Sequence, residues 1–389
     1  MIRVLIVDDS AFSRRTIKSM LESSGKIQVA GTATDGDEAL RMTESLQPDV
    51  ITLDLEMPRM DGFSFLRILT YRRPRPVIVV SSHTRQVDVL RSLDLGALDF
   101  VAKPTKSASK ALWNIRDELV AKVIEAASAR MDLYVADIHP DQVTGIHSIE
   151  ALQNIETDSR PISIHPMHPP PRNVERLTPT PVPQDSETRG VLLFGASTGG
   201  PRALRKLLGS LMDESTWPVV IAQHMPPRFT GEFAARLARK LKLDVREAED
   251  GSMLAPGRIL IAPGGFHTTL TLSSDYSRPI VRLHASSARD RHVPSINRLF
   301  ASAPSVFGPR VIAVILTGMG DDGSNGAEVI RKGGGKIIAE DHSTAVVFGM
   351  PHRAIQSGVV DTIAPLDTIS SRIRWYISRM AQKYDPPTQ

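Results

Sequence analysis

Between residues 131 and 189 the chain stops patterning for secondary structure. Nine of its 28 prolines fall there, among them Pro169-Pro170-Pro171 and Pro179, Pro181 and Pro183. Proline fixes φ and removes a backbone donor, so neither a helix interior nor a sheet interior runs through such a stretch. A chain of 389 residues broken in this way is expected to fold as two bodies on an extended tether of polyproline character. The expected division is a domain over 1–130, a tether over 131–189 and a second domain over 190–389. Ser148–Ile155 has at most one or two transient helical turns. His139, His147, His165 and His168 lack metal-ligand spacing and read as solvated tether residues.

Each flank alternates short apolar runs with helical periodicity. In the first, strands are expected at Val4–Val7, Ile27–Ala33, Val50–Leu53, Val77–Val80 and Phe100–Ala102. Helices are expected at Ala11–Ser23, Asp37–Ser45, Gly62–Tyr71, Val87–Leu95 and Ala108–Ala129. That alternation implies a parallel sheet covered on both faces, with its site beyond the carboxyl ends of the strands. Asp8 and Asp9 follow the first strand, Asp54 the third, Ser81 the fourth and Lys103 the fifth. In a 2-1-3-4-5 strand order the three carboxylates converge. Converging carboxylates repel unless a cation sits among them, and all-oxygen ligation suits Mg²⁺. With a lysine alongside, the parts suit phosphoryl transfer to Asp54 as nucleophile. Strand-end aspartates also cap helices, but capping does not account for polar groups at all these strand ends together.

This half closely resembles a two-component response-regulator receiver. The resemblance rests on Val-Asp-Asp-Ser at 7–10, Leu-Asp-Leu-Glu-Met-Pro at 53–58, Met-Asp-Gly at 60–62 and Lys103-Pro104. It implies a flavodoxin-like 2-1-3-4-5 sheet with Asp54 as phosphoacceptor. It also implies Mg²⁺ held by Asp8, Asp9, Asp54 and the backbone carbonyl of Glu56. Ser81 would sense the phosphoryl group, Lys103 would contact it, and the Lys103-Pro104 bond would be cis.

In the second flank, strands are expected at Val191–Phe194, Val219–Gln223, Val245–Glu247, Arg258–Ala262, Thr268–Leu272, Ile280–Leu283, Val311–Leu316, Lys336–Ala339 and Val359–Ile363. Helices are expected at Pro201–Leu211, Phe229–Leu241, Val293–Ala301, Gly326–Lys332, Pro351–Gln356 and Asp367–Ala381. The pattern is a second doubly wound α/β domain, with a β-hairpin insertion around Arg258–Leu283. Gly195, Ser197 and Gly199 fit a G-x-S-x-G strand-to-helix elbow. By itself that motif fits a nucleophile, a phosphate-binding turn or a plain βα turn. A nucleophilic serine needs a base, and His224 ends an apolar strand at the same sheet edge. His267 is the second candidate. A carboxylate must orient the base. The loop Thr317-Gly318-Met319-Gly320-Asp321-Asp322-Gly323 offers two, although paired acids in a glycine loop also fit a phosphate or metal site. Its exposed backbone N–H groups suit an oxyanion.

Taken together, four loops resemble the chemotaxis protein-glutamate methylesterase family. They are Gly-Ala-Ser-Thr-Gly-Gly-Pro at 195–201, Gln-His-Met-Pro at 223–226, Ala-Pro-Gly-Gly-Phe-His at 262–267 and Leu-Thr-Gly-Met-Gly-Asp-Asp-Gly at 316–323. Pro294-Ser295 and Val347–Pro351 agree, as does the receiver–tether–esterase order. The resemblance implies Ser197 as nucleophile, His224 as base and acid, and Asp322 as the triad aspartate. It gives Met319 N–H as oxyanion donor with Thr198 nearby, and His267 as a supporting residue. Asn297 departs from the family pattern, which has an aspartate there, and the tether is long.

The resemblance implies a cytoplasmic response regulator that hydrolyses glutamate γ-methyl esters on chemoreceptors and also deamidates receptor glutamines. A chemotaxis histidine kinase would be the phosphodonor. Hydrolysis itself would need no cofactor. The absence of cysteine excludes disulfides and thiolate chemistry. No apolar run reaches membrane-spanning length, and the acidic turn after the first strand is unlike a signal peptide. A net charge of +4 and no basic recognition helix argue against a nucleic-acid partner. A dinucleotide enzyme is disfavoured because Ser197 breaks the G-x-G-x-x-G spacing.

Overall fold

The structure, a computed structural model, describes residues 1–82, 86–103, 113–135, 188–211, 217–287 and 290–384. Pro104, the start expected for the fifth helix and most of the expected tether lie outside the described residues.

The first body carries β1 (Ile2–Val7), α1 (Ala11–Glu22), β2 (Ile27–Ala33), α2 (Gly36–Leu46), β3 (Val50–Leu53), α3 (Gly62–Arg72), β4 (Val77–Ser82), α4 (Gln86–Asp94), β5 (Asp99–Lys103) and α5 (Arg116–Ala126). Its strands pair in parallel in the order β2-β1-β3-β4-β5. β3 is buried at every position, as expected of a strand covered on both faces. Helix starts are capped by side chains: Ser10, Asp35 and Asp61 each accept an N–H from the first turn.

After α5 a short helix, α6 (Met131–Val135), occupies residues expected to belong to the tether. The reason is anchoring. Arg130 N–H donates to Val346 O at 3.0 Å, and Met131 packs on the receiver-side core.

The second body runs β6 (Val191–Ala196), α7 (Gly200–Leu211), β7 (Val219–Gln223), α8 (Phe229–Leu241), β8 (Asp244–Glu247), β9 (Arg258–Ile261), β10 (Phe266–Leu272), β11 (Pro279–Ala285), α9 (Ile296–Ser302), α10 (Pro304–Phe307), β12 (Val311–Ile315), α11 (Ser324–Lys332), β13 (Lys336–Glu340), α12 (Gly349–Gln356), β14 (Thr362–Ala364) and α13 (Leu366–Tyr384). Seven parallel strands are ordered β14-β13-β12-β6-β7-β9-β8, and β10–β11 form a separate antiparallel hairpin. The hairpin insertion therefore begins at Phe266, because Arg258–Ile261 pairs inside the main sheet. α9 starts three residues later than expected, since Ser295 is its cap. The single-turn α10 has too short a pattern to be read from sequence.

The chain enters this sheet at β6, builds outward through β7, then crosses to β12. The order reverses between β6 and β12, and a doubly wound sheet opens its crevice at such a switch point. Register fixes what faces it: Ile315 pairs with Gly195, and Ala196 with Gln223.

One apolar cluster runs through both bodies. The Phe100 and Phe229 rings meet at 4.5 Å between centroids, and Leu90 belongs to the same buried cluster as Phe233 and Leu237. The receiver-like body thus packs through β5, α4 and α5 against the edge of the second sheet that bears Ser197.

Candidate active site

Ser197 is the first residue after β6. Its N–H donates to Thr317 O at 3.0 Å, and its carbonyl accepts from Gly200 N–H at 2.8 Å and from Gln223 Nε2 at 2.9 Å. The serine backbone is thus tied to the β12 and β7 loops on either side. Gly318 (φ +157°) closes over it, and a Cβ there would stand 2.6 Å from Ser197 Cβ. Only glycine lets that loop pass.

His224 follows β7, and its N–H donates to Ala196 O at 3.0 Å. Its Nε2 lies 2.9 Å from Asp322 Oδ2. Asp322 is buried and takes three further hydrogen bonds, from Ile296 N–H (2.8 Å), Asn297 N–H (2.9 Å) and the Ser295 hydroxyl (3.2 Å). Burial pushes the Asp322 carboxyl up, but His224 and these backbone donors more than offset it, and the group sits below the ordinary carboxylate value. It is therefore anionic at neutral pH and fixes the His224 ring. Because Nε2 faces Asp322, Nδ1 is the nitrogen left for a serine proton. Among the described residues no hydrogen bond joins Ser197 Oγ to His224. The structure brings His224 and Asp322 into contact, and it sets Ser197 on the adjoining strand end.

Sequence reasoning missed much of the support. His292 stacks on His224 with centroids 4.4 Å apart and planes 4° from parallel. Burial, then the neighbouring His224, hold His292 below the usual imidazole value, which favours a neutral ring against its partner. Asn297, a departure from the family pattern, accepts N–H groups of Gly323 and Gly326 at 3.0 and 2.8 Å. It caps the loop that carries Asp322, an acceptor's task that an aspartate would also meet. His267, the second base candidate, is buried. Its Nδ1 accepts the Ser295 N–H at 3.2 Å, and its Nε2 lies 3.1 Å from Asp290. It braces the loop and does not contact Ser197. The Pro294-Ser295 pair and His267, expected as a supporting residue, were the legible signals for this layer.

The Met319 N–H has no partner among the described residues, as an oxyanion donor requires. Behind it, Glu340 is fully buried and accepts the Thr317 N–H at 2.8 Å. Burial raises its carboxyl to about 7. Thr198, expected near the oxyanion donor, meets the receiver-like body. Its hydroxyl lies 2.6 Å from Asp99 Oδ2 and 2.5 Å from Glu125 Oε2, both on the receiver-like body.

In that body Asp8, Asp9 and Asp54 place carboxylate oxygens within 4.8 Å of one another. Lys103 Nζ lies 2.7 Å from Asp8 and also contacts Asp54. Burial raises the Asp8 carboxyl above its usual value even with Lys103 beside it. A partly buried, all-oxygen cluster, with Asp9 exposed at its rim, that one ammonium only partly neutralises fits a hard divalent cation. Ser81 is buried and lines the same hollow as Glu56.

Residues 192–373 match the CheB methylesterase family, and residues 4–112 match the response regulator receiver domain. A "Protein-glutamate methylesterase/protein-glutamine glutaminase 3" of Geobacter sulfurreducens is 44% identical over 96% of this chain and 96% of its own length. The chain belongs to this family. A Pyrococcus horikoshii relative of the same name is 36% identical over 96% of this chain and 92% of its own. A crystal structure of the Thermotoga maritima CheB methylesterase catalytic domain is 39% identical, covers 48% of this chain and 97% of its own, and has a TM-score of 0.46. No helix among the described residues is long and apolar enough to cross a membrane.

Proposed function

We propose that the chain hydrolyses γ-glutamyl methyl esters on chemoreceptors and deamidates receptor glutamines, under control of Asp54 phosphorylation. The observation that carries this reading is the His224–Asp322 contact beside Ser197 at the switch point between β6 and β12, within a chain of methylesterase family. The proposed division is a receiver over 1–130, a proline-rich tether over 131–189 and a catalytic domain over 190–389.

His224 Nδ1 takes the Ser197 proton, and Oγ adds to the ester carbonyl carbon. Charge develops on the carbonyl oxygen, where the Met319 N–H receives it, with Thr198 beside it. The tetrahedral species collapses, and methanol leaves with the proton from His224. Water then gives a proton to His224 and attacks the acyl-serine, releasing glutamate and free Ser197. With a glutamine substrate the leaving group is ammonia.

In the receiver, Asp8, Asp9, Asp54 and the Glu56 carbonyl would hold Mg²⁺, which neutralises charge on a transferring phosphoryl group. Lys103 and Ser81 contact the product on Asp54. A chemotaxis histidine kinase is the proposed donor, and the proposed compartment is the cytoplasm. The receiver's contacts at Thr198 support the reading that the unphosphorylated receiver covers the Ser197 edge.

The test is methanol release from methylated receptor by the full chain, with and without phosphodonor, beside residues 190–389 alone. Activation by phosphodonor, a faster isolated domain and loss of release in Ser197→Ala are expected. Retained release in Ser197→Ala rejects the nucleophile. An isolated domain no faster than the unphosphorylated chain rejects occlusion.

A further inference from the structure

Asp94 is the last residue of α4, and a carboxylate at a helix C-terminus opposes the helix dipole. The catalytic domain compensates it. Arg205 Nη1 lies 2.7 Å from Oδ1, and Lys240 Nζ lies 2.5 Å from Oδ2, which Arg236 also contacts. Three cations converge on one anion. One would suffice as a latch, and the surplus has a cost. Burial, together with Arg205 and Arg236, holds Lys240 below the ordinary ammonium value despite Asp94.

The surplus belongs to the helices themselves. α7 carries Arg202, Arg205 and Lys206, and α8 carries Arg236, Arg239 and Lys240, with Glu232 the one acid in either. Glu232 pairs with Arg239, and Lys206 with Asp367. Of the other four cations, Arg205, Arg236 and Lys240 converge on Asp94, around an apolar floor that includes Phe233 and Leu237. α4 lies in this groove through Leu90, Leu93 and Asp94, the i, i+3, i+4 face of one helix. The surface is therefore already seen holding an amphipathic helix with an acidic end. α7 begins three residues after Ser197.

We propose that the α7–α8 face is the docking groove for an acidic amphipathic helix of the ester-bearing protein, and that α4 occupies it as an internal mimic of that helix. This rests on the esterase reading. The ester-bearing protein gains one carboxylate at each turnover, so a groove with surplus positive charge is matched to segments around the reacting ester. The receiver, with one carboxylate, satisfies the groove incompletely and can be displaced by a more acidic helix.

The experiment uses the full chain, saturated with phosphodonor, and two substrates: methylated receptor and a small aryl ester. The double variant Arg236→Ala, Lys240→Ala is expected to raise KM for the receptor about tenfold with kcat unchanged, from loss of two charge-assisted contacts. It should blunt the salt dependence of that KM and leave aryl-ester turnover as it was. The second measurement uses a peptide of residues 86–94, expected to inhibit receptor demethylation by the parent chain competitively and to inhibit the double variant at least tenfold less. An unchanged receptor KM, or a peptide equally effective on both chains, overturns the groove. Parallel losses on both substrates also overturn it, since they mark a general defect. Aryl-ester and receptor activities that both survive Ser197→Ala overturn the esterase reading instead, so the two failures are distinguishable.

Discussion

The Thr198 hydroxyl has one proton, yet two carboxylate oxygens lie within hydrogen-bond reach of it, Asp99 Oδ2 at 2.6 Å and Glu125 Oε2 at 2.5 Å. It can donate to only one of them, so the other must carry a proton and donate to the hydroxyl oxygen. Lys122 Nζ lies 3.0 Å from the other Asp99 oxygen, which leaves Glu125 as the acid. Burial raises Glu125 from 4.5 to about 7, with Asp99 adding to the rise while Thr198 and Lys122 oppose it. The sign follows directly. Below pH 4.5 Glu125 is protonated whether docked or released, and its contribution to docking is fully present. Between 4.5 and 7 the released form ionises first, and docking weakens until both forms are ionised. A shift of this size corresponds to about 3 kcal/mol. Asp99 and Lys122 travel with the receiver, so part of the shift survives undocking. About 1–2 kcal/mol, roughly tenfold in the docking equilibrium, is the expected share. The perturbation is Glu125→Gln, whose amide donates to Thr198 at every pH. The assay is basal methanol release by the unphosphorylated full chain, taken as the ratio of parent to variant from pH 5 to 8, in which the pH response of the catalytic triad cancels. The ratio should rise with pH and level off above about 7. A flat ratio, or a falling one, refutes the proton count.

Three further outcomes are expected. Asp322→Asn leaves the packing in place but removes the charge facing His224 Nε2, and kcat for ester hydrolysis should fall by roughly 10³–10⁴-fold with little change in melting temperature. Asn297→Ala orphans the Gly323 and Gly326 N–H groups and should destabilise the chain by about 1–3 kcal/mol in denaturant unfolding, while Asn297→Asp should not. Asp54→Asn should abolish phosphoryl uptake from a small phosphodonor while basal hydrolysis continues, and a basal rate that disappears as well would contradict separate sites.

Strand ends were legible in the sequence because a buried parallel strand reads as an apolar run that stops at its first polar residue. Asp8, Asp54, Ser81, Ser197 and His224 all sit at such breaks, and each lies at a strand's carboxyl end in the structure. The order β14-β13-β12-β6-β7-β9-β8 was not legible, because alternation of strands and helices permits many orders. Nor was the brace around Asp322, since its donors at Ser295, Ile296 and Asn297 are more than 20 residues away in the chain and two of the three bonds that they supply come from backbone N–H groups. Backbone donors carry no residue-type signature. Asn297 in particular read only as a departure from the family pattern, when its side chain serves the adjoining loop.

Contacts between the two bodies were beyond sequence reading for a related reason. Asp94, Asp99 and Glu125 look like ordinary surface acids, and only the partner surface gives each a task. Their placement nonetheless suggests how the receiver site reaches the catalytic loop. β5 holds Lys103 against Asp8 and Asp54 at one end, and Asp99 against Thr198 at the other. The ends are roughly 13 Å apart at strand rise. β5 is also the edge strand, paired with β4 alone, so it can shift while breaking one ladder where an interior strand would break two. A phosphoryl group on Asp54, as proposed above, would draw Lys103 from the carboxylate to the phosphoryl oxygens and so pull on the strand whose far end grips the residue next to Ser197. The opposite end of the latch, Asp94 on α4, lies five residues before Asp99, so both holds on the catalytic domain sit on one short segment of chain. Release of either hold would then weaken the other, as a two-position switch requires.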